Sequence, residues 1–164
     1  MTILLSVIVI LILLFGFVVF FGAPYLPTLN AQKKAALELL DLSPGDKMIE
    51  LGSGDGTMLV AAAQRGIFVI GYELNPILVI ISLIRTSPYR HRVKIIWGNY
   101  WLLKWPETDA IFTFLLDRYM KKLDKKIIQN YPDKKVKLAS HAFKIPGRKH
   151  TKEKSGIFLY TYNY

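Results

Sequence analysis

Residues 50–56 decide how this chain folds, and they read Glu50-Leu51-Gly52-Ser53-Gly54-Asp55-Gly56. The apolar run 47–51 before them predicts a strand, and the pattern in 57–65 predicts a helix after them. Glu73 ends the next apolar run, twenty-one residues after Gly52. In a doubly wound sheet, the turn after the first strand lies at the ligand crevice, and an acid ending the second strand reaches ribose hydroxyls. The pattern therefore predicts a site for a ligand that contains a nucleoside.

The charges around the glycines narrow the choice of ligand. The dinucleotide fingerprint has the spacing G-x-G-x-x-G and seats a pyrophosphate at a helix N-terminus. Here the spacing is G-x-G-x-G, with Glu50 before it and Asp55 inside it. Two carboxylates would repel a pyrophosphate, whereas they suit the sulfonium and ammonium groups of S-adenosylmethionine. Gly52 and Gly54 let the backbone approach the ligand, and Glu73, which we place in an open crevice, accepts from both ribose hydroxyls. We therefore expect S-adenosylmethionine rather than NAD.

Strand and helix patterns alternate along the chain. The predicted strands cover residues 47–51, 67–73, 93–97, 110–115, 135–140 and 157–162, and the predicted helices cover 30–42, 57–65, 76–85 and 117–130. Most of the strands are apolar on both faces, which is typical of a parallel sheet covered by helices. We therefore predict an α/β fold with a Rossmann-like, doubly wound, mainly parallel sheet. The polar and basic segment 144–155 is predicted to be a loop.

An uncharged apolar run occupies residues 3–22. In a helix, a run of this length matches the roughly 30 Å hydrocarbon core of a bilayer. No basic residue precedes it and no small-residue cleavage site follows it, which favours a retained transmembrane helix over a signal peptide. Lys33 and Lys34 are the first basic residues after it, so we expect a single-pass membrane protein with its domain on the cytoplasmic side. The predicted parts are a transmembrane helix, 1–22; a connector and first helix, 23–45; and a ligand-binding domain, 46–164.

Positive charge is concentrated in the C-terminal part of the chain. The net charge is +10, and residues 118–154 hold thirteen of the twenty-two Lys and Arg residues but only three acids. A basic surface can be solvated, can lie against anionic lipid or can bind nucleic acid. No zinc-finger, RNP or helix-turn-helix pattern supports nucleic acid, and the predicted span favours a basic face toward anionic lipid. The chain has no cysteine, which excludes disulfides and thiolate metal sites, and no other spacing predicts a metal site.

Three segments resemble motifs of the seven-strand (class I) S-adenosylmethionine-dependent methyltransferases. They are residues 50–56, 71–76 and 98–101, which are similar to motif I, post-I and motif II. With the connector Pro24-Tyr25-Leu26-Pro27 after an apolar span, they resemble more closely a small family of membrane-anchored protein-lysine methyltransferases. Mitochondrial members of that family modify the ATP synthase c subunit and the adenine nucleotide translocase. The resemblance is specific in the first half of the chain and loose in the second. It implies S-adenosylmethionine as the methyl donor and a lysine of a membrane protein as the acceptor.

The resemblance assigns Gly52, Gly54 and Glu73 to the cofactor, and the charges and predicted positions of other residues add further candidates for the site. The cofactor-binding candidates are Glu50, Gly52, Ser53, Gly54, Asp55, Gly56, Glu73 and Asn99. Asn99 stands where many class I enzymes have an acid that contacts adenine, and an amide can also pair with the adenine edge. Tyr25, Tyr100 and Trp101 are candidates for the walls of the acceptor pocket, although membrane anchoring is an equal alternative for Tyr25. Asp117 stands where the family has a proline, so the acceptor pocket departs from the family pattern.

Methyl transfer to an amine requires the amine to be neutral. For a lysine with a pKa of about 10.4, reaching neutrality at pH 7 costs on the order of 4–5 kcal/mol, and apolar surroundings with nearby positive charge lower this cost. His141 follows the strand 135–140 and is either a proton acceptor or a structural residue. Three functions stay open: methylation of a lysine on a membrane protein, methylation of a lipid or small lipophilic molecule, and cofactor binding without catalysis.

Overall fold

The computed structural model describes residues 4–6, 9 and 28–162, which form one α/β unit from residue 30 onward. Its helices are α1 (Asn30–Leu40), α2 (Thr57–Ala63), α3 (Pro76–Thr86) and α4 (Asp117–Asn130). Its strands are β1 (Lys47–Leu51), β2 (Phe68–Glu73), β3 (Val93–Trp97), β4 (Ala110–Thr113), β5 (Val136–His141), β6 (Lys152–Lys154) and β7 (Ile157–Tyr162). The predicted helices and strands are all present, and their ends differ from the prediction by at most two residues.

The seven strands form one sheet in the order β3-β2-β1-β4-β5-β7-β6. The strands β1 to β5 run parallel, and β7 is antiparallel to both of its neighbours. The strand order reverses between β1 and β4, which is the place where open α/β sheets bind ligands at the carboxyl ends of their strands. The predicted Rossmann-like, mainly parallel sheet is confirmed.

Two apolar cores lie on the two faces of the sheet because successive residues of a strand point to opposite sides. On one face, Leu40 of α1 and Leu59 of α2 pack with Met48 and neighbouring strand residues. On the other face, α4 packs Leu123 against Ile49 and its neighbours. Helix α3 contacts α2, β2 and β3, and so it lies on the side of α1 and α2. This arrangement places the carboxyl ends of β1 to β5 together along one edge.

Two connections on the α4 side have no helix. Residues 98–109 and 142–151 are irregular, and their side chains, among them Trp105 and Ile145, complete the core. Strand β6 lies inside the segment 144–155, so the prediction of a loop there was wrong in part. The residues of β6 are all exposed and lack an apolar pattern, and the strand forms because β7 offers a free edge.

The predicted membrane span is described only in fragments. Residues 4–6 and 9 are helical, and the rest of the run 3–22 lies outside the described residues, as do the connector and Tyr25. Within the part of the chain that the structure describes, no helix has the length and apolar character needed to cross a bilayer. The transmembrane helix stays a prediction.

Candidate functional site

The loop between β1 and α2 turns sharply because its three glycines take positive φ angles. Gly52, Gly54 and Gly56 have φ of 83°, 54° and 80°, in a region that is costly for residues with a Cβ. The amides of Gly52 and Ser53 both donate to the carbonyl oxygen of Tyr72, at 2.9 Å each, and so fasten the loop to β2. A Cβ on Gly52 would meet no described atom within 4 Å. The open side of the loop can therefore admit a ligand against bare backbone.

Glu50 is a buried carboxyl group with an unsatisfied oxygen. It lies in β1 beside Gly71 of β2 and is 4% exposed. Its Oε2 has no hydrogen-bond partner among the described residues, and the same is true of the Ser53 hydroxyl. Burial above all, together with the charges of Glu73 and Asp55, raises the pKa of Glu50 well above its usual range. A buried and unpaired acid is costly to the fold and marks a functional site, here one that suits a cationic ligand.

Glu73 ends β2, and both oxygens of its carboxylate accept hydrogen bonds from backbone amides. Its Oε2 accepts a hydrogen bond from the amide of Gly54 at 2.8 Å, and its Oε1 accepts from the amides of Leu74 and Asn75 at 2.8 Å each. The expectation that Glu73 stands in an open crevice was wrong, because these three amides draw its carboxylate inward and bury it. A carboxylate has about four acceptor positions, so room remains for one ribose hydroxyl rather than two.

Asp55 has partners inside the protein. Its Oδ2 forms an ion pair with Nη2 of Arg85 at 3.0 Å, and its Oδ1 accepts from the amide of Thr57 at 3.2 Å. The Nε of Arg85 also donates to the carbonyl oxygen of Asp55 at 2.8 Å. The charge of Asp55 is therefore balanced, whereas Glu50 forms no ion pair with any described residue. Of the two carboxylates that the sequence suggested were free, only Glu50 lacks a cationic partner among the described residues, because Arg85, thirty residues further along the chain than Asp55, neutralises Asp55.

The segment after β3 builds an aromatic cluster against α4. The Oδ1 of Asn99 accepts from the amide of Trp101 at 2.9 Å and closes a turn. The ring of Trp101 lies 4.9 Å from that of Tyr100 and 6.1 Å from that of Tyr119 in α4, measured between centroids. The Nζ of Lys122 stands 4.4 Å over the centroid of the Trp101 ring. Burial above all raises the pKa of Tyr100, so its hydroxyl stays protonated.

A second cluster lies at the carboxyl ends of β4 and β5. Phe114 follows β4 and His141 ends β5, and their ring centroids are 4.1 Å apart. Burial lowers the pKa of His141, and its Nδ1 is enclosed without a partner in the described chain. Asp117, in the first turn of α4, is exposed. Phe114 and Tyr119 were not among the sequence candidates, because only the parallel strands and the packing of α4 bring them to this edge.

The predicted cofactor residues come together at the ends of three neighbouring strands. The glycine loop follows β1, Glu73 ends β2, and Asn99 follows β3, where the amide of Gly98 donates to the carbonyl oxygen of Glu73 at 2.9 Å. Of the acceptor candidates, Tyr100 and Trp101 are at this edge, whereas Tyr25 lies outside the described residues. Across the described ranges, no three acids or histidines are placed to hold a metal ion.

The basic residues of segment 118–154 do not form one surface. Lys137 and Lys154 reach α1, where Lys154 pairs with Glu38 at 2.6 Å. Lys121 and Lys125 are exposed on α4, which lies on the opposite side of the sheet. The positive charge that the sequence groups together is therefore divided between the two sides.

Comparisons with known proteins agree with this geometry. The sequence profile of the ANTKMT methyltransferase domain matches residues 50–152. The lysine N-methyltransferase of the ATP synthase c subunit from Xenopus laevis is 32% identical over 106 residues, which are 63% of this chain and 46% of that protein. The protein-lysine N-methyltransferase of Saccharolobus islandicus is 28% identical over 128 residues, which are 76% of this chain and 79% of that protein. This chain spans about half the length of the vertebrate relatives that it matches.

A solved structure shares the fold. It is an RNA methyltransferase from Salinibacter ruber in complex with S-adenosyl-L-homocysteine, with a TM-score of 0.73 and 23% identity. The match covers 84% of this chain and 92% of that one.

Proposed function

This chain belongs to the ANTKMT methyltransferase domain family, and from that premise we propose that it transfers a methyl group from S-adenosylmethionine to the side-chain amine of a lysine. One structural observation supports the proposal most strongly. Glu50, beside the glycine loop, is a buried carboxyl group with an unpaired oxygen and no cation bound to it among the described residues. A cationic cofactor supplies the missing partner, whereas a pyrophosphate would add a further negative charge to the same place.

The residues of the loop fit such a cofactor. Glu50 is the acceptor for a cationic group, and the bare backbone at Gly52 allows close approach. Glu73, which the amide of Gly54 holds in place, keeps one acceptor position for a ribose hydroxyl. The hydroxyl of Ser53 has no other partner among the described groups and can donate or accept. Three further predicted residues shape the site. Asp55 pairs with Arg85, and Gly56 allows the loop to turn with a positive φ. Asn99 closes the turn before the aromatic cluster.

The acceptor side must bind a lysine and favour its neutral form. When bound, S-adenosylmethionine supplies a methyl group that is already activated as a sulfonium, so the protein contributes position and the protonation state of the amine. Tyr100 and Trp101 offer aromatic walls for the apolar stem of a lysine. The buried Nδ1 of His141 is the candidate that takes the proton from the ammonium group, and Phe114 holds the imidazole ring in place.

The acceptor that we propose is a lysine of a membrane protein. Support comes from the relative that acts on a lysine of the ATP synthase c subunit and from the uncharged run 3–22, which we propose to be a single transmembrane helix. Lys33 and Lys34 after that run favour a domain on the cytoplasmic side, and the net charge of +10 favours contact with anionic lipid.

Incubation of membranes with S-adenosylmethionine labelled in its methyl group tests the function. The purified full-length protein is added, and protein is then separated from lipid and small molecules. Label on protein that appears as methyl-lysine after hydrolysis supports the proposal. Label confined to lipid would assign a lipid acceptor instead, and cofactor binding without any transfer would leave a non-catalytic binding protein. The matched control is Glu50→Gln, which should abolish most of the labelling.

A further inference from the structure

Helix α3 turns its large aliphatic side chains outward. Ile77, Ile80, Ile81 and Ile84 have the i, i+3, i+4, i+7 spacing of a single helix face. All four are exposed, Ile80 by 58% and Ile84 by 71%, and Leu83 beside them is exposed as well. A stripe with this spacing ordinarily faces the core of a protein. An exposed apolar patch of this kind marks a surface that contacts something else.

The inner face of α3 explains why the stripe is free. The buried residues of this helix are Ser82 and Thr86, and the Oγ1 of Thr86 donates to the carbonyl oxygen of Ser82 at 2.8 Å. A Cβ on Gly56 would stand 3.2 Å from the Cα of Ser82, so α3 packs very closely against the glycine loop. Small side chains are required at this contact, and the isoleucines are placed on the other side.

The sequence segment that contains α3 has only positive charges, although Arg85 of α3 is neutralised by Asp55 of the glycine loop. Residues 74–106 include five Lys or Arg residues and no acid, and Arg90 and His91 are exposed just beyond the helix. Trp97 of the edge strand β3 is 66% exposed, and its indole N–H donates to the carbonyl oxygen of Leu74, before α3, at 3.1 Å. An apolar stripe with cationic and tryptophan neighbours is typical of a helix that lies in the interface of an anionic membrane.

Helix α1 begins on the same side of the sheet as α3. Asn30 at the start of α1 lines a groove with Thr57 of α2 and Arg85 of α3. Seven residues, 23–29, separate the end of the apolar run 3–22 from Asn30. Even a fully extended chain would span at most about 28 Å between residue 22 and Asn30. A membrane anchor before α1 and the stripe on α3 can therefore reach the same bilayer. The lysines of α4 lie across the sheet, so one flat bilayer cannot cover both helices.

We propose that α3 lies on the surface of an anionic bilayer, with Ile77, Ile80, Ile81 and Ile84 among the upper acyl chains and Arg90 among the headgroups. Helix α3 starts three residues after Glu73, so this contact holds the cofactor loop beside the membrane. A lysine where a membrane-protein helix meets the aqueous phase can then enter the site. The access of a substrate lysine rests on the proposed function, whereas the contact of α3 with the bilayer can be measured separately.

Single-cysteine labelling tests the contact, because the native chain has no cysteine to interfere. An environment-sensitive fluorophore is attached to full-length Ile80→Cys, and in a matched control to Lys125→Cys on α4. Each is reconstituted in vesicles of phosphatidylcholine with phosphatidylglycerol that carry a quencher in their acyl chains. We expect a blue shift and strong quenching at position 80, weaker in phosphatidylcholine alone, and no quenching at position 125.

The other outcomes overturn the proposal. Quenching at position 125 alone would place α4 on the bilayer, and no quenching at either position would leave α3 in water. Equal quenching with and without phosphatidylglycerol would show that the basic residues do not contribute to the contact, and the preference for an anionic bilayer would be rejected. If the fluorophore at position 80 is shielded without vesicles, a shielding that depends on protein concentration would indicate a second copy of the chain. A shielding that does not depend on it would indicate the apolar segment of the same chain.

A pair of double variants completes the experiment, with the fluorophore on Ile77→Cys. Ile80→Ser with Ile84→Ser should lower the ratio of docked to undocked domain by roughly ten- to a hundredfold, since each substitution removes a large aliphatic side chain from lipid. Lys121→Ser with Lys125→Ser should leave that ratio unchanged. Cofactor affinity is measured on the same samples. Binding of S-adenosylmethionine without quenching would reject the docking alone, and quenching without cofactor binding would reject the proposed function alone.

Discussion

Replacing Glu50 by glutamine should stabilise the free protein and weaken its binding of S-adenosylmethionine. The side chain is 4% exposed, and its Oε2 has no hydrogen-bond partner in the described structure. Glutamine has nearly the same shape and cannot carry the negative charge. The substitution therefore removes the charge that burial and the neighbouring acids disfavour, while it also removes the counterion that we assign to the cofactor.

The size of both effects follows from the burial. Leaving a buried polar group unpaired costs about 1–3 kcal/mol, and more when the group is charged. The glutamine amide is left unpaired as well, so the variant gains only the extra cost of the buried charge. We expect this gain to be about 1–3 kcal/mol at pH 7, which at about 2–4 °C per kcal/mol is visible in the melting temperature. Loss of a charged hydrogen bond to the cofactor, worth about 1.5–3 kcal/mol, weakens affinity by roughly ten- to a hundredfold or slightly more.

The pH dependence gives a second measurement of the same charge. The folded-state pKa of Glu50 is raised above its unfolded value, so its contribution to stability is complete at low pH and is lost as the pH rises through the folded pKa. Glutamine does not titrate, so the stability gain of the variant should grow with pH and vanish in acid. For the same reason, cofactor affinity of the wild type should fall in acid, and that of the variant should stay level.

Calorimetric titration and thermal melting over a pH series provide both readouts. The matched control is Glu73→Gln, the same chemical change at the neighbouring acid, which should instead destabilise the protein by about 1–3 kcal/mol because an amide NH₂ then meets a backbone donor. A lower melting temperature of Glu50→Gln at neutral pH would show that the Glu50 carboxylate is paired, and the reasoning would be refuted. Unchanged affinity for S-adenosylmethionine would remove Glu50 from the cofactor site.

Three further substitutions test other parts of the site. Arg85→Met should lower cofactor affinity by up to about fivefold, because the partly exposed ion pair that holds Asp55 is worth no more than about 1 kcal/mol. Unchanged affinity in calorimetric titration would mean that the loop keeps its shape without Arg85. Gly52→Ala should cost about 1–2 kcal/mol of stability, because alanine is strained at φ of 83°, and thermal melting measures this loss. The methyl group should also obstruct the cofactor, which lowers the affinity measured by calorimetric titration. Full affinity would show that the ligand does not approach the backbone at Gly52. His141→Asn should slow methyl transfer roughly a hundredfold. It should also remove the loss of rate in acid, because the wild-type rate is expected to fall as the pH drops through the lowered pKa of His141. A variant with the wild-type pH profile would show that His141 has only a structural role.

Much of the fold was predictable because its signals are local. The apolar runs, the glycines after the first run and the acid after the second predicted β1, the loop and β2, and their alternation with helical patterns predicted a parallel sheet. Strand β6 was not predictable, because its three charged residues carry no apolar pattern and pair only because β7 leaves an edge free. The outward stripe of α3 was equally hidden, since its spacing is the one by which a sequence ordinarily indicates a buried face.

The sequence by itself determined the ligand-binding loop, the order of the elements and the family resemblance, because glycine conformation and apolar spacing act over a few neighbouring residues. Only the tertiary structure decided which acid is free to meet a cation. The sequence does not distinguish the two acids beside the loop. In the structure Arg85 neutralises Asp55, which is thirty residues away in the chain, whereas Glu50 is buried with an oxygen unpaired among the described residues. Likewise the tertiary structure brought Phe114 to His141 and turned the isoleucines of α3 outward. Burial and long-range pairing depend on how strands and helices pack together, and no local pattern carries that information.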